Sequence, residues 1–213
     1  MMQTSKFESL TVENDPDFPE YDNPPADPVG LMQRWLDRAV EVAVREPKAL
    51  ALATADKRGR PSARIVLVSA IDERGVLFTS HASSRKGREI EENNWAAGLL
   101  YWRETGQQIK ISGTVEPVPT AESESLWQAR AIPLHAMSVA SRQSEPLADP
   151  GALRAEAERL GADGKALDRP ERFYGYRLQP QDVEFWAHRP DRLHLRLRYD
   201  REGDGWTSVR LQP

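Results

Sequence analysis

The residues best suited to chemistry lie between positions 64 and 86, where a predicted hairpin leads into a predicted helix. Arg64 begins an extended run, the chain turns at residues 72–75, and Thr79-Ser80 lies on the returning strand. Ser83-Ser84-Arg85-Lys86 then begins the helix. Hydroxyl groups and cations at a helix start bind phosphate well, because unpaired N–H groups and the positive end of the helix dipole meet there. The pattern predicts either a phosphate site, which Arg64 joins if the hairpin pairs in register, or a capped helix with a solvated face.

Three further stretches carry polar groups in positions that suit a ligand. Gln107-Gln108 begins a predicted strand and Gln143-Ser144 lies in a predicted loop. Their amides both donate and accept, as the rim of a heteroaromatic ring requires, but polar surface residues look the same. Arg192, His194 and Arg196 alternate along a predicted strand and would share one face. That face is either exposed to water or an anion-binding wall whose histidine moves protons near neutral pH.

Composition excludes several classes of site. The chain has 213 residues, no cysteine and a net charge of −4, which rules out disulfides and thiolate chemistry and gives no basic field for nucleic acid. The four histidines show no metal-ligand spacing, and no Walker or dinucleotide glycine pattern occurs. No apolar run approaches the roughly 18 residues of a membrane span. The sequence thus predicts a cytoplasmic protein without a metal, a nucleic-acid partner or a membrane partner.

The order of elements predicts an α+β fold that is mainly β. Residues 1–27, rich in proline and acid, are expected to form a mobile N-terminal arm, and residues 28–213 a single domain. Periodicity and turn residues predict helices at 27–46, 83–93, 120–141 and 150–162. Strands are predicted at 49–55, 62–70, 76–80, 97–103, 107–117, 173–178, 183–187, 192–199 and 206–211. Successive antiparallel hairpins of this kind suggest a closed barrel.

Taken together, the motifs resemble the pyridoxine 5′-phosphate oxidase family of FMN-dependent split-barrel homodimers. The resemblance covers about residues 47–213. It is carried by Arg64-Ile-Val-Leu-Val, Phe78-Thr79-Ser80, Ser84-Arg85-Lys86-Gly87, Gln108, Gln143-Ser144, Glu184-Phe185-Trp186, Arg192-Leu193-His194-Leu195-Arg196, Trp206 and Arg210-Leu211-Gln212-Pro213. It implies an FMN-binding, antiparallel, Greek-key split β-barrel with peripheral helices, which forms a homodimer with FMN at the subunit interface.

The resemblance also implies roles for individual residues. Arg64, Arg85 and Lys86 fall where the family holds the FMN phosphate. The remaining cofactor positions are Ile65, Val66, Leu67, Val68, Ser69, Thr79, Ser80, Ser84, Gln108, Gln143, Ser144, Trp186 and Arg196, some of them from the second subunit. Arg192 and His194 fall where the family contacts substrate above the flavin, His194 as an orienting group or proton relay.

The substrate side departs from vitamin B6 oxidases. Those enzymes grip the substrate phosphate with Lys, Tyr, Arg and Ser, and the matching positions here are Ser69, Leu126, Arg130 and Leu134. Only the arginine is kept, and each lost charged hydrogen bond is worth about 1.5–3 kcal/mol. Leu126, Trp127 and Leu134 are instead expected to cover an apolar ring.

The pattern is most like the branch of the family that acts in phenazine biosynthesis. The implied activity is oxidation of a hexahydro- or dihydrophenazine carboxylate by hydride transfer to flavin, with O2 as final acceptor and H2O2 as product. The partners implied are a second copy of the chain, a small aromatic carboxylate and O2. Two alternatives stay open: a pyridoxine/pyridoxamine 5′-phosphate oxidase, and a split-barrel protein that binds flavin without catalysis.

Overall fold

The computed structural model describes residues 15–213. Five helices are α1 (Val29–Glu41), α2 (Arg85–Glu92), α3 (Thr120–Gln128), α4 (His135–Ala140) and α5 (Pro150–Gly161). Eight strands are β1 (Ala49–Ala55), β2 (Pro61–Asp72), β3 (Gly75–His81), β4 (Trp95–Trp102), β5 (Gln107–Pro117), β6 (Phe173–Ala187), β7 (Leu195–Glu202) and β8 (Gly205–Leu211). Single 3-10 turns occur at Pro19–Tyr21 and Ile132–Leu134.

Six of the strands close into an antiparallel barrel. Their order is β3-β2-β1-β4-β5-β6, and pairing of β3 with β6 completes the ring. Strands β7 and β8 extend the sheet beyond β6. The first three strands are consecutive and β4 returns through α2 to lie beside β1, which is a Greek key. The predicted fold class, a Greek-key split barrel with peripheral helices, is confirmed.

Alternation along the strands fills the barrel. In β5 every second side chain from Gln107 to Val115 points inward and is buried, and β1 alternates in the same way through Leu50, Leu52 and Thr54. Two-residue periodicity puts successive side chains on opposite sides of a strand, so one set builds the core and the other faces outward. This division decides which predicted site residues can contact a ligand outside the barrel.

The described part of the predicted N-terminal arm packs against the barrel. Phe18 is 3% exposed, and its ring lies 4.9 Å from that of Trp35 on α1 and 6.4 Å from that of Phe185 on β6. Further along, Asp22 pairs with Arg210 on β8 at 3.2 Å. Residues from Phe18 onward therefore belong to the packed domain, whereas residues 1–14 of the predicted arm lie outside the described residues.

Four differences from the predicted elements exceed the shifts of one or two residues found at other element ends. The helix expected to reach residue 46 ends at Glu41, because the chain turns through positive φ angles at Ala43 and Glu46. The helical region 120–141 divides at Pro133, which lies within a 3-10 turn between α3 and α4. The strands predicted at 173–178 and 183–187 form one strand, β6, whose register against β5 shifts at Ser112/Gly113. The strand predicted at 192–199 runs from Leu195 to Glu202.

Within residues 15–213 no helix is long and apolar enough to cross a membrane.

Candidate functional site

The residues predicted to bind a phosphate lie at and around the start of α2, directly after β3. Ser84 is the N-cap: its Oγ accepts a hydrogen bond from the Gly87 N–H at 3.3 Å and donates one to the His81 carbonyl oxygen at 2.7 Å. These two bonds fix the helix start against the end of the strand. The first turn therefore faces the place where β3 leaves the barrel.

Five residues predicted from separate stretches meet at this helix start. The Lys86 ammonium donates to Ser80 Oγ at 3.1 Å and to the side-chain oxygen of Gln143 at 3.4 Å. The Arg85 N–H donates to Ser144 Oγ at 3.1 Å. The loop that carries Gln143 and Ser144 thus lies over α2 in the same chain, and the structure brings these five residues together.

Arg64 reaches the same place from β2, as the hairpin register requires. Its Nη1 donates to the Leu52 carbonyl oxygen at 3.1 Å and to Thr54 Oγ1 at 2.6 Å, both on the neighbouring strand β1. Its Nη2 donates to Ser62 Oγ and to Glu89 Oε2, the latter at 3.1 Å. The guanidinium group is therefore held from several sides.

Glu89, on α2, is the principal site residue that the sequence reasoning missed. It is 4% exposed and also accepts a hydrogen bond from Arg85 Nε at 2.8 Å, so one buried carboxylate joins both arginines. The signal available in the sequence was the spacing of Arg85 and Glu89, four residues apart on one helix face. That spacing is common on solvated helices, so it does not by itself indicate a site.

The carboxyl group of Glu89 stays ionised over a wide pH range. Burial acts to raise its pKa, but hydrogen bonds from Ser62, Thr54, Arg85 and Arg64 outweigh burial and lower the pKa to about 2. Thr54 Oγ1 and Ser62 Oγ donate to the same carboxylate oxygen at 2.5 and 2.6 Å.

This lowered pKa predicts how acid affects stability. A carboxyl group whose folded-state pKa lies below its unfolded value stabilises the protein above the unfolded pKa and loses that contribution as pH falls. We expect the free energy of unfolding of the wild type to exceed that of a Glu89→Gln variant at neutral pH. The difference should shrink as pH falls from about 5 towards 2, the interval between the ordinary glutamate pKa and the shifted value. Urea unfolding at a series of pH values measures it, and a difference independent of pH would contradict the assignment.

Several cations lie near the end of β3, close to the start of α2. His81, at the end of β3, is 2% exposed, and burial first, then the charges of Arg172, Lys86 and Arg130, lower its pKa to about 4. Burial together with the charges of three nearby cations therefore keeps His81 neutral at pH 7, and a group of cations of this kind favours a bound anion.

The outer side chains of β2 are separated from its core side chains. Ile65 and Leu67 are each 62% exposed and point away from the barrel, as does Ser69 at the irregularity in pairing between Val68 and Ala70. Val66 and Val68 are 8% and 3% exposed and belong to the core. Because strand alternation buries the side chains of Val66 and Val68, only their backbone atoms would be available to a flavin.

A second group of predicted cofactor residues forms a row across three strands. Gln108 on β5 lies opposite Trp186 on β6, which lies opposite Arg196 on β7. All three side chains belong to the outward-facing set of their strands. Arg196 Nε also donates a hydrogen bond to Glu184 Oε1 at 2.6 Å. Strands β2 and β5 are three strands apart in either direction around the six-strand ring. Their outer faces therefore point to opposite sides of one chain, so a single chain does not bring this row to Ile65 and Leu67.

The C-terminal residues Arg192 and His194 lie in the turn before β7. The prediction that Arg192, His194 and Arg196 share one strand face is wrong. Arg192 has a φ of 72°, and the strand begins only at Leu195. His194 Nδ1 accepts a hydrogen bond from the Arg189 N–H at 3.1 Å, and its ring lies 4.8 Å from that of Trp186.

The protonation of His194 follows from these contacts. Burial, and then the charges of His188 and Arg192, lower its pKa. In the neutral ring an accepting Nδ1 leaves the proton on Nε2, so His194 presents an N–H donor. A neutral N–H donor of this kind suits a carboxylate oxygen, which only accepts hydrogen bonds.

The residues predicted to contact substrate differ in their exposure and in their contacts. Leu126 lies beside Gly175, where an added Cβ would approach its Cδ1 within 2.5 Å, and Leu134 is 50% exposed. The Arg130 guanidinium lies 6.0 Å from the centre of the Phe173 ring, and its Nε is buried without a hydrogen-bond partner among the described residues. Trp127 is 1% exposed, donates to the Leu167 carbonyl oxygen at 2.7 Å and stacks on His135, so it is a core residue and not a cover over a ligand.

Residues 15–213 contain no group of three or more histidine, acidic or cysteine side chains that could hold a metal ion.

Comparison with known proteins agrees with this geometry. Residues 36–186 match the family described as pyridoxamine 5′-phosphate oxidase. The chain belongs to this family. Residues 173–213 match the C-terminal dimerisation region of pyridoxine 5′-phosphate oxidase, which here comprises β6, β7 and β8. The predicted family resemblance is thereby confirmed.

Individual relatives refine the position of the chain within the pyridoxamine 5′-phosphate oxidase family. The chain is 58% identical to a dihydrophenazinedicarboxylate synthase of Burkholderia lata over 212 residues, which is 100% of both chains. It is 44% identical to a pyridoxine/pyridoxamine 5′-phosphate oxidase of Herminiimonas arsenicoxydans, over 88% of this chain and 90% of the relative. The crystal structure of PhzG from Burkholderia lata in complex with tetrahydrophenazine-1-carboxylic acid superposes with a TM-score of 0.91 at 57% identity, covering 95% of this chain and 99% of that one.

The family implies a flavin cofactor, and the site fits the phosphorylated form. Three cations, the hydroxyl groups of Ser80 and Ser144 and the start of α2 converge within one region of the chain. Phosphate oxygens accept hydrogen bonds from such donors, and guanidinium groups bind them through two N–H bonds. Arg64, Arg85 and Lys86 are the residues that would hold an FMN phosphate.

Proposed function

We propose that the protein is an FMN-dependent oxidase of phenazine biosynthesis that oxidises a reduced phenazine carboxylate. When bound, FMN would supply two-electron redox chemistry: it would take a hydride from the substrate, and two electrons with two protons would then pass to O2 to give H2O2. The substrate loses two hydrogens and becomes more aromatic, so the reaction has a strong driving force of its own. The protein's part is to bind the cofactor and the substrate, to orient them, and to give O2 access to the site.

One observation carries the choice of substrate class. The chain is 58% identical, over the full length of both chains, to a dihydrophenazinedicarboxylate synthase. The solved relative with a TM-score of 0.91 holds tetrahydrophenazine-1-carboxylic acid. The changes on the substrate side agree, because Ser69, Leu126 and Leu134 supply neither the cation nor the two hydroxyl groups that a substrate phosphate would need.

The residues remaining near the proposed substrate suit a carboxylate on a flat ring. Neutral His194 offers its Nε2–H, and half-buried Arg130 offers a guanidinium whose Nε has no hydrogen-bond partner among the described residues. We assign His194 to orienting the substrate carboxylate. Because aromatisation supplies driving force, the reaction does not depend on His194 as a strong base.

The active form is proposed to be a homodimer with flavin at the interface. Ile65 and Leu67 on β2 and the Gln108–Trp186–Arg196 row lie on opposite sides of one chain. A flat ring that contacts both sets must lie between two copies. The match of residues 173–213 to a dimerisation region supports this arrangement.

Turnover assays with two substrates test the proposal. The purified protein with FMN should accelerate oxidation of a reduced phenazine carboxylate above its rate in air alone, and H2O2 formed should equal O2 consumed. A control protein with Arg85→Ala and Lys86→Ala removes the cofactor while leaving spontaneous oxidation unchanged. Efficient turnover of pyridoxine 5′-phosphate would instead favour the rival supported by 44% identity to a vitamin B6 oxidase. Binding of FMN without acceleration of either reaction would favour a flavin-binding protein without catalysis.

A further inference from the structure

Glu89 is the buried acid beside the three cations on which the proposed function rests. These cations, Arg64, Arg85 and Lys86, are called the cation cluster below. Its two carboxylate oxygens divide the arginines between them: Oε2 accepts from Arg64 Nη2 at 3.1 Å and Oε1 from Arg85 Nε at 2.8 Å. Each guanidinium approaches from a different element, Arg64 from β2 and Arg85 from α2. The carboxylate thus links a strand of the barrel to the helix that begins the site.

The neutral partners of Glu89 strengthen this link. Thr54 and Ser62 donate to Oε2, and both hydroxyl oxygens also accept from Arg64, so acid, hydroxyls and guanidinium form one closed network. Side chains with several mutual hydrogen bonds have few alternative rotamers, because each alternative breaks more than one bond. Arg64 is therefore oriented before any ligand arrives, and Arg85 is joined to the same carboxylate through its Nε.

The charges of Glu89 and of the three cations predicted to hold the phosphate sum to a value that suits this ligand. Arg64, Arg85 and Lys86 carry three positive charges, and burial first, then the Arg64 charge, lower the pKa of Lys86. Glu89 contributes one negative charge, which leaves a net charge of +2. A phosphate monoester carries a charge near −2 above its second pKa of about 6. Glu89 therefore brings the site to the charge that such a phosphate neutralises, and it reduces repulsion among the three cations before binding.

We propose that Glu89 is a positioning residue that sets the orientation of Arg64 and Arg85 for the phosphate of FMN. This inference rests on the proposed function, because it assigns the ligand of the same site. It makes a prediction of definite sign. A simple charge argument says that removing an acid from an anion site strengthens binding, whereas loss of positioning weakens it.

Flavin affinity with and without the phosphate tests the proposal. In Glu89→Gln we expect the FMN dissociation constant to rise about tenfold, since two charged hydrogen bonds that orient the arginines are weakened. Riboflavin has the same ring and no phosphate, so its dissociation constant should stay within about twofold. A merely structural role would weaken both ligands alike. Fluorescence titration of the FMN-free protein measures both constants.

The matched control is Glu92→Gln, which removes the same charge from the last residue of α2. Glu92 is exposed, and its Oε2 accepts only a 3.3 Å hydrogen bond from the Lys57 N–H among the described contacts. Its FMN dissociation constant should equal that of the wild type. If Glu89→Gln does not fold, Glu89→Asp keeps the charge, withdraws the carboxylate by one methylene and should raise the ratio of FMN to riboflavin dissociation constants in the same direction.

The possible outcomes separate this inference from the proposed function. A wild type that binds FMN, together with a Glu89→Gln variant that binds FMN equally or more tightly, overturns the positioning role and leaves the oxidase proposal intact. Equal weakening of FMN and riboflavin reduces Glu89 to a structural residue and also overturns it. A wild type that binds no FMN overturns both proposals.

Discussion

Replacing Arg85 and Lys86 together by Ala is expected to raise the FMN dissociation constant by about two to four orders of magnitude. Each cation is expected to give the phosphate a charge-assisted hydrogen bond worth about 1.5–3 kcal/mol, and about 1.4 kcal/mol changes affinity tenfold. Both residues lie in the first turn of α2, beside Ser84 and opposite Gln143 and Ser144. Purification should yield protein without yellow colour, and titration with FMN should give the weakened constant.

The control for this double variant must remove equal charge elsewhere. Arg154 and Arg159 are exposed residues of α5, a helix outside the cation cluster, and Arg159 pairs with Glu156 at 2.7 Å. Arg154→Ala with Arg159→Ala changes the net charge by the same amount and should leave FMN affinity unchanged. Unaltered flavin content in the Arg85, Lys86 variant would refute the phosphate assignment.

The sequence predicted that the residues of the proposed phosphate site lie together, because they are close to one another along the chain. Arg64, Thr79-Ser80 and Ser84-Arg85-Lys86 lie on one hairpin and the helix that follows it, so local spacing places them at one end of the barrel. The same locality explains the success of the hairpin predictions. The β1–β2 and β4–β5 turns were recognisable from their polar and glycine residues.

Sequence reasoning was less successful where position depends on distant contacts. The burial of Glu89 depends on Thr54 and Ser62, 35 and 27 residues earlier, and nothing near Glu89 in the sequence indicates those partners. Trp127 looked suited to a ligand wall, but α3 turns it into the core against His135 and Leu167. Residue type alone did not decide between these placements, because an indole serves equally well in a core or against a ligand.

The prediction for Arg192 and His194 failed because the start of their strand was placed too early in the sequence. Alternation from Arg192 assumed that the strand had already begun, whereas the positive φ of Arg192 belongs to a turn. His194 therefore owes its orientation to the Arg189 N–H and the Trp186 ring rather than to a strand face. A non-glycine residue at positive φ carries no clear sequence signal, since it is set by contacts of the folded chain.

Replacing Gly87 by Ala is expected to destabilise the protein by about 3 kcal/mol, although alanine is the better helix former. Gly87 is the third residue of α2, and a Cβ there would lie 2.2 Å from the Ala82 carbonyl oxygen and 2.6 Å from the His81 carbonyl oxygen. These are backbone atoms held in place, because the Ala82 N–H donates to the Arg172 carbonyl oxygen at 2.7 Å and the His81 carbonyl accepts from Ser84. The helix must therefore move, and overpacking of this kind costs about 1–3 kcal/mol or more.

Gly30→Ala is the matched control that separates this clash from helix propensity. Gly30 is the second residue of α1, and its nearest neighbour to an added Cβ is Arg34 Nη1 at 3.5 Å, an ordinary contact with a flexible side chain. That variant should be neutral or more stable by up to about 1 kcal/mol. For a chain of this size, the midpoint of thermal unfolding should fall by about 6–12 °C in Gly87→Ala and not in Gly30→Ala. Because movement of α2 also displaces Arg85, Lys86 and Glu89, Gly87→Ala should lose FMN affinity as well, and equal behaviour of the two variants would contradict the close approach of α2 to the end of β3.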